Sequence, residues 1–441
     1  MKKKILCLLL ALLVINLSIP HVAWAAETTI VDRGICGAVG RKASVKWALD
    51  ANGTLTISGS GEMRNYAKLG KRPWDKYCNG IQSIEIVGNV TTIGCYAFAC
   101  LPNIVQVTIA ANVTSINACA FKWCHNLTTV DFPDSMRKIG VDAFAYCSKL
   151  TSVTIPNGIT TISEGTFVEC RALTDVNMPD SMMSIDDYAF WCCSGLTSIT
   201  IPNGVKSIKT CAFEWCENLA TVNIPDSVQY IGVSAFAECH RLTSITVPNG
   251  VKKISAATFG NCSALTDVYL PDGVQAIGNG AFAYCCALTT IRIPVGVTTI
   301  GADAFYACDS LTSCILPPTV RQVKHGAFSA CHNLQYCFYP DTVEASSRGN
   351  LGVTDQIGYR VAPHQLTPGK TEVWLTEGMD YATAVPCDAM GTDYKISKVC
   401  TPQITVEHEY NEAYLDADGR SLACDRCGDI FEEPLKLHRI R

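Results

Sequence analysis

Residues 150–170 read L-T-S-V-T-I-P-N-G-I-T-T-I-S-E-G-T-F-V-E-C, and the Phe of this stretch, Phe167, recurs every 23 residues. The register runs through Phe98, Phe121, Phe144, Phe167, Phe190, Phe213, Phe236, Phe259, Phe282, Phe305 and Phe328 without a slip. A fixed period of this length is the signature of a repeat array. Within one unit, Leu150, Val153 and Ile155 space out as a short strand of period two. Pro156 ends it, having no N–H for a ladder, and Asn157-Gly158 turns the chain. Ile162 follows five residues before the Phe, and the A-F-x-x-C type segment closes the coil, read as one turn of helix. No single coil can bury its Val, Ile, Phe and Leu. Stacked coils can, in continuous internal columns. About twelve strands at ~4.8 Å spacing predict one parallel sheet of roughly 55 Å.

A longer period lies above the first. Turns alternate between Pro-Asp-Ser (Pro133, Pro179, Pro225) and Pro-Asn-Gly (Pro156, Pro202, Pro248), so the duplicated unit is 46 residues.

Cysteine also keeps the register. It stands three after Phe at Cys124, Cys147, Cys170, Cys193, Cys216, Cys239, Cys262, Cys285, Cys308 and Cys331, with Cys78 as an outlying member and Leu101 interrupting. Stacking would bring such cysteines within disulfide range, or set out a row of metal ligands. The simpler reading is a small buried slot filled by a compact thiol with a weak donor. Leu101 favours that reading, since Leu can replace packing but not a bond. Off the ladder, Cys36, Cys95, Cys100, Cys119, Cys192, Cys211, Cys286, Cys314 and Cys337 are the better disulfide candidates. Cys314 and Cys337 share one strand column, as a pair or as two fillers.

The pattern L-x-x-V-x-I-P-x-x-V-x-x-I-x-x-x-A-F-x-x-C resembles the BspA-type leucine-rich repeats of bacterial surface and secreted proteins. The leading segment resembles the same family at Cys36-Gly37, Val45-Lys46-Trp47, Gly53 to Gly59 and Pro73-Trp74. The resemblance covers about residues 34–340. It implies a curved leucine-rich-repeat solenoid with its strands on the concave face, and a role in adhesion or other binding rather than catalysis.

The flanks complete the layout. Lys2, Lys3 and Lys4, the apolar run Ile5 to Ile15 and Ala23-Trp24-Ala25 predict a signal peptide over 1–25. The run is short for a membrane span, so the mature chain is expected to be exported, in the medium or on the cell surface. A β cap is expected over 26–74, its hairpin alternating Val45, Trp47 and Leu49 before Asn52-Gly53 and Leu55 and Ile57 after it. The solenoid is placed at 75–340 and a C-terminal cap and cysteine-containing module at 341–441, with a strand at Val373-Trp374-Leu375. In that module Cys400, His408, Cys424 and Cys427 could form a Cys3His zinc site or, with Cys387, disulfides.

The net charge is −5, and −8 once the three leader lysines are removed. Nothing is basic enough overall for a nucleic-acid partner. G-x-S-x-G, H-E-x-x-H and G-x-G-x-x-G are all missing, so no catalytic residue is assigned. The binding candidates are the outward strand residues, eight and ten after each Phe. Early coils offer small polar groups such as Ser152 and Thr154. The last coils offer Asp267, Tyr269, Arg292, Ile315, Tyr336 and Phe338, richer in the aromatic and Arg side chains that interface hot spots favour. These residues bind a partner or are covered by the C-terminal segment. The expected function is recognition of a protein or other cell-surface macromolecule. The alternative is an envelope scaffold in which the array is a spacer docked through its C-terminal module.

Overall fold

The computed structural model describes residues 29–39, 44–67, 70–334, 336–338 and 343, with four short strands at 373–376, 422–423, 430–431 and 437–440. The array is a parallel β-solenoid with two strand columns. The first holds the L-x-x-V-x-I strands, among them Gln106–Thr108, Ser152–Thr154, Asp175–Asn177, Ser244–Thr246 and Asp267–Tyr269. Neighbours pair one coil apart, Ser152 with Asp175 and Thr154 with Asn177. The second column was not foreseen as a strand. It is built around the residue five before each Phe, as Lys138–Ile139, Thr161–Ile162, Ser184–Ile185 and Lys253–Ile254. A turn separates the columns, closed in successive coils by bonds such as Ile159 N–H to Pro156 O at 3.0 Å and Val205 N–H to Pro202 O at 3.1 Å.

The two-coil period is visible in the packing. Val153, Ile199 and Ile245 are buried, whereas Val176, Val222 and Val268 are half-buried. Ser198–Thr200 pairs with Thr221–Asn223 and Ser244–Thr246 with Asp267–Tyr269 as separate two-stranded sheets.

The third side of the coil corrects the expected helical turn. It is a run of tight turns, and in all eleven coils the residues two before and two after Phe are left-handed. Only Gly165, Gly280 and Gly326 among them are glycine. Tyr96, Cys119, Trp123, Tyr146, Glu169, Trp215, Asn261 and Ala307 hold φ between 50° and 64°. Each such non-glycine residue costs about 1 kcal/mol or more. What offsets the cost is non-local. Cys119, Phe121 and Trp123 donate their N–H groups forward to Val141, Ala143 and Ala145 of the next coil at 2.8–2.9 Å. Inside, the Phe rings stack in one column, for example Phe121 on Phe144 at 5.1 Å and Phe305 on Phe328 at 5.0 Å.

At the N-terminal end the foreseen hairpin is present, with Trp47 opposite Ile57 and Leu49 opposite Leu55. It is more than a lid. Ile30–Ile35 pairs with its outer strand, and Thr54–Ser58 pairs in parallel with Ser83–Ile86, starting the first column. Gly59 lies at φ +109°, where a Cβ would sit 2.2 Å from Ser44 O, and this bend sends Ser60–Glu62 into the second column beside Asn89–Ile93. Forward donation leaves the carbonyls of the first Phe segment without a preceding coil. Arg72 and Trp74 supply the donors. The Arg72 guanidinium bonds Ala99 O, and Trp74 Nε1–H donates to Ala97 O at 3.1 Å. Asp75 holds that guanidinium at 2.5 Å, and the Trp74 ring opens the stack 5.8 Å from Phe98. The expected strand at Val373 is found as Val373–Thr376, paired in parallel with Leu437–Ile440. Residues 1–25 lie outside the described residues.

Candidate functional site

The period-two strand sends Val153 and its equivalents inward and leaves two outward side chains per coil. Over eight successive coils, from Gln106 and Thr108 to Asp267 and Tyr269, these are exposed, with only Ser152 half-exposed. Backbone ladder bonds hold the strands, so the outward side chains carry no structural duty and are free to differ. The result is a ribbon of hydroxyls, amides and carboxylates ending in an aromatic residue.

Of the six binding candidates, Asp267 and Tyr269 flank Val268 on one strand and Tyr269 is 57% exposed. Asp267 accepts a hydrogen bond from Thr266 Oγ1 at 2.7 Å. Arg292 is half-buried and its Nη2 donates to Asp272 Oδ1 at 2.8 Å, on the neighbouring turn. Arg292 bridges in parallel to Ile315, which is half-buried. Tyr336 and Phe338 are in register with Ser313 and Ile315, and their side chains lie outside the described residues. The column therefore brings the candidates together on successive strands. Ser313, expected outward, is 4% exposed, so the exposed ribbon narrows after Tyr269.

The cysteine ladder resolves into a chain of thiol hydrogen bonds. Each Sγ donates to the carbonyl of a Phe 26 residues earlier, from Cys124 to Phe98 O at 3.1 Å through to Cys331 to Phe305 O at 3.0 Å. Between these, Cys147, Cys170, Cys193, Cys216, Cys239, Cys262, Cys285 and Cys308 repeat the bond at 3.1–3.4 Å. Burial raises the thiols of Cys147, Cys170, Cys193, Cys216, Cys239, Cys262 and Cys285, pushing Cys262 up to about 12, so these seven are protonated donors rather than nucleophiles. At the end of the row the hydrogen bond between Cys308 and Cys331 raises Cys308 and lowers Cys331. Cys78 does not belong to this column: it is half-buried and its Sγ faces Asn79 Oδ1 at 3.7 Å. Off the ladder, Cys36, Cys95, Cys100, Cys119, Cys192, Cys211 and Cys286 are free thiols. Cys314 and Cys337 are register partners on adjacent strands.

Among the described residues no group of three or more His, Cys, Asp or Glu could hold a metal ion. The zinc candidates Cys400, His408, Cys424 and Cys427 lie outside the described residues. Among the described residues no helix is long and apolar enough to cross a membrane.

A family model, the BspA type leucine rich repeat region, matches in six copies over residues 76–197, 183–301 and 275–349. Among solved structures, a leucine-rich repeat protein from Bacteroides ovatus ATCC 8483 is 26% identical with a TM-score of 0.53, over 68% of this chain and 88% of that one. A leucine rich cell surface protein from Faecalibacterium prausnitzii A2-165 is 29% identical with a TM-score of 0.45, over 73% and 98%. A leucine-rich repeat protein from Eubacterium ventriosum ATCC 27560 is 21% identical with a TM-score of 0.45, over 73% and 99%. No curated protein matches the chain.

Proposed function

The chain belongs to the BspA-type leucine-rich-repeat family, and from that premise we propose that it is a non-enzymatic recognition protein, exported or held at the cell surface, whose first-strand face binds a protein or other surface macromolecule. The observation that carries this reading is the outward ribbon, exposed over eight coils on a rigid, regularly spaced scaffold. Solenoids use such extended faces for binding. Tyr269 and Arg292 at its C-terminal end are of the types that carry interface energy.

The test is capture of cell-surface and extracellular-matrix components by residues 26–441, against the triple variant Tyr269→Ser, Arg292→Ser, Phe338→Ser. Capture should fall at least roughly tenfold, the loss of one hot-spot side chain or more, while the circular dichroism spectrum is unchanged. Equal capture by the variant would remove function from this face. The envelope-spacer reading would then be favoured if deleting 341–441 abolishes localisation.

A further inference from the structure

The second-strand column carries a charge pattern of its own. Across the eleven coils, the two positions just before its core residue hold six Lys or Arg and no Asp or Glu. These are Arg137, Lys138, Lys206, Lys252, Lys253 and Arg321, and all six are exposed. The first-strand face has the opposite balance. Its outward pairs in the same coils hold Asp131, Asp175 and Asp267 against a single cation, Arg292, which Asp272 pairs. A chain of net charge −5 thus gathers cations along one face.

Among the described residues those cations have no carboxylate partner. Lys122, Arg171, Lys209 and Arg292 all form ion pairs. None of the six does so among the described residues. The Arg137 guanidinium donates to the backbone carbonyls of Asp134 and Met136, at 2.7 and 2.8 Å, not to a carboxylate. The carboxylates of the exposed turn residues Asp134, Asp180 and Asp226 border the face and form no ion pair with it among the described residues.

Stacking turns sequence spacing into distance. The cationic coils follow one another at steps of three, two and three coils, which is roughly 14, 10 and 14 Å along a line of about 38 Å at ~4.8 Å per coil. Between them lie the hydroxyls of Thr160, Thr161, Ser184, Thr298 and Thr299, and the exposed ring of Tyr230 stands between Lys206 and Lys252. A narrow line of spaced, unpaired cations attracts a line of anions and gains from the counterions it releases. Hydroxyls and an aromatic face in the intervals suit sugar rings.

We propose that the second-strand face binds a linear acidic polysaccharide. A lipid surface would call for an apolar row beside the cations, and here Met183, Tyr230 and Ala276 are scattered singly among Thr, Ser and Gln. A nucleic acid would call for a denser basic field than this chain holds. The site lies on a different column from the protein-binding ribbon and is tested separately from it.

The experiment measures binding of residues 26–441 to immobilised heparin across a salt series. The comparison is the triple variant Lys206→Gln, Lys252→Gln, Lys253→Gln, with thermal melting as the check on folding. Wild type is expected to bind heparin, not neutral dextran, with affinity falling as salt rises. The variant should bind at least roughly tenfold more weakly, with a flatter log–log salt slope, and Tyr269→Ser should leave heparin binding unchanged. No heparin binding at low salt, equal binding by the folded variant, or equal binding to dextran would overturn the proposal. Tighter binding to anionic phospholipid vesicles or duplex DNA than to heparin would overturn the choice of a polysaccharide.

Discussion

On the strand side of a coil the outward residues sit in extended backbone, and one register position passes from Ser152 to Asp175 to Ser198 to Asp267 while the fold is unchanged. On the Phe side the backbone turns left-handed twice per coil, and the inward residues, Phe and Cys, repeat almost without exception. The difference lies in where each side finds its stability. The strand side is held by a backbone ladder and leaves side chains over for recognition. The Phe side adopts a costly backbone that only ring stacking, thiol bonds and forward-pointing N–H groups sustain. Function is therefore expected on the strand columns and intolerance to substitution on the Phe side.

The contrast is sharpest at Phe213 and Tyr269. Phe213→Ala should lose about 3–5 kcal/mol by cavity formation in the ring stack. Tyr269→Ser, an exposed substitution, should stay within about 0.5 kcal/mol. Denaturant unfolding of the mature chain compares the two, and similar losses would break the contrast. Next is the end of the Phe side, where Arg72→Met strips donors from the first coil's carbonyls and leaves Asp75 without its cation, held only by the backbone N–H of residue 72. A loss of about 3 kcal/mol is expected, and a loss below about 1 kcal/mol would mean that water replaces the guanidinium. The smallest effect concerns the backbone alone. Ala307→Gly removes left-handed strain at φ 55° and should stabilise by up to about 1 kcal/mol. Ser244→Gly, in a first-column strand, should destabilise by about 0.5–1 kcal/mol. The same sign at both positions would show that the left-handed residues are not strained.

Much of this was legible in the residues. The 23-residue register named the inward columns, and Asn52-Gly53 set the hairpin register that the structure shows. The outward ribbon followed from alternation along each strand. Other features were not. The burial of Ser313 and the pairing of Arg292 with Asp272 depend on what stacks beside them. The second strand escaped notice because two residues, such as Thr161–Ile162, are too few for a periodicity to register.

Sequence alone determined the repeat, its core columns and its family likeness, because apolar residues at fixed intervals allow only one stacked solution. Tertiary structure alone decided the left-handed pairs, the direction of the thiol bonds, the role of Arg72 and the segregation of charge onto separate faces. The residues that flank Phe at two places, such as Tyr96, Cys119, Glu169 and Asn261, share no chemistry that encodes a positive φ. Their conformation is imposed by hydrogen bonds to a coil 23 residues away, which no local pattern can reveal.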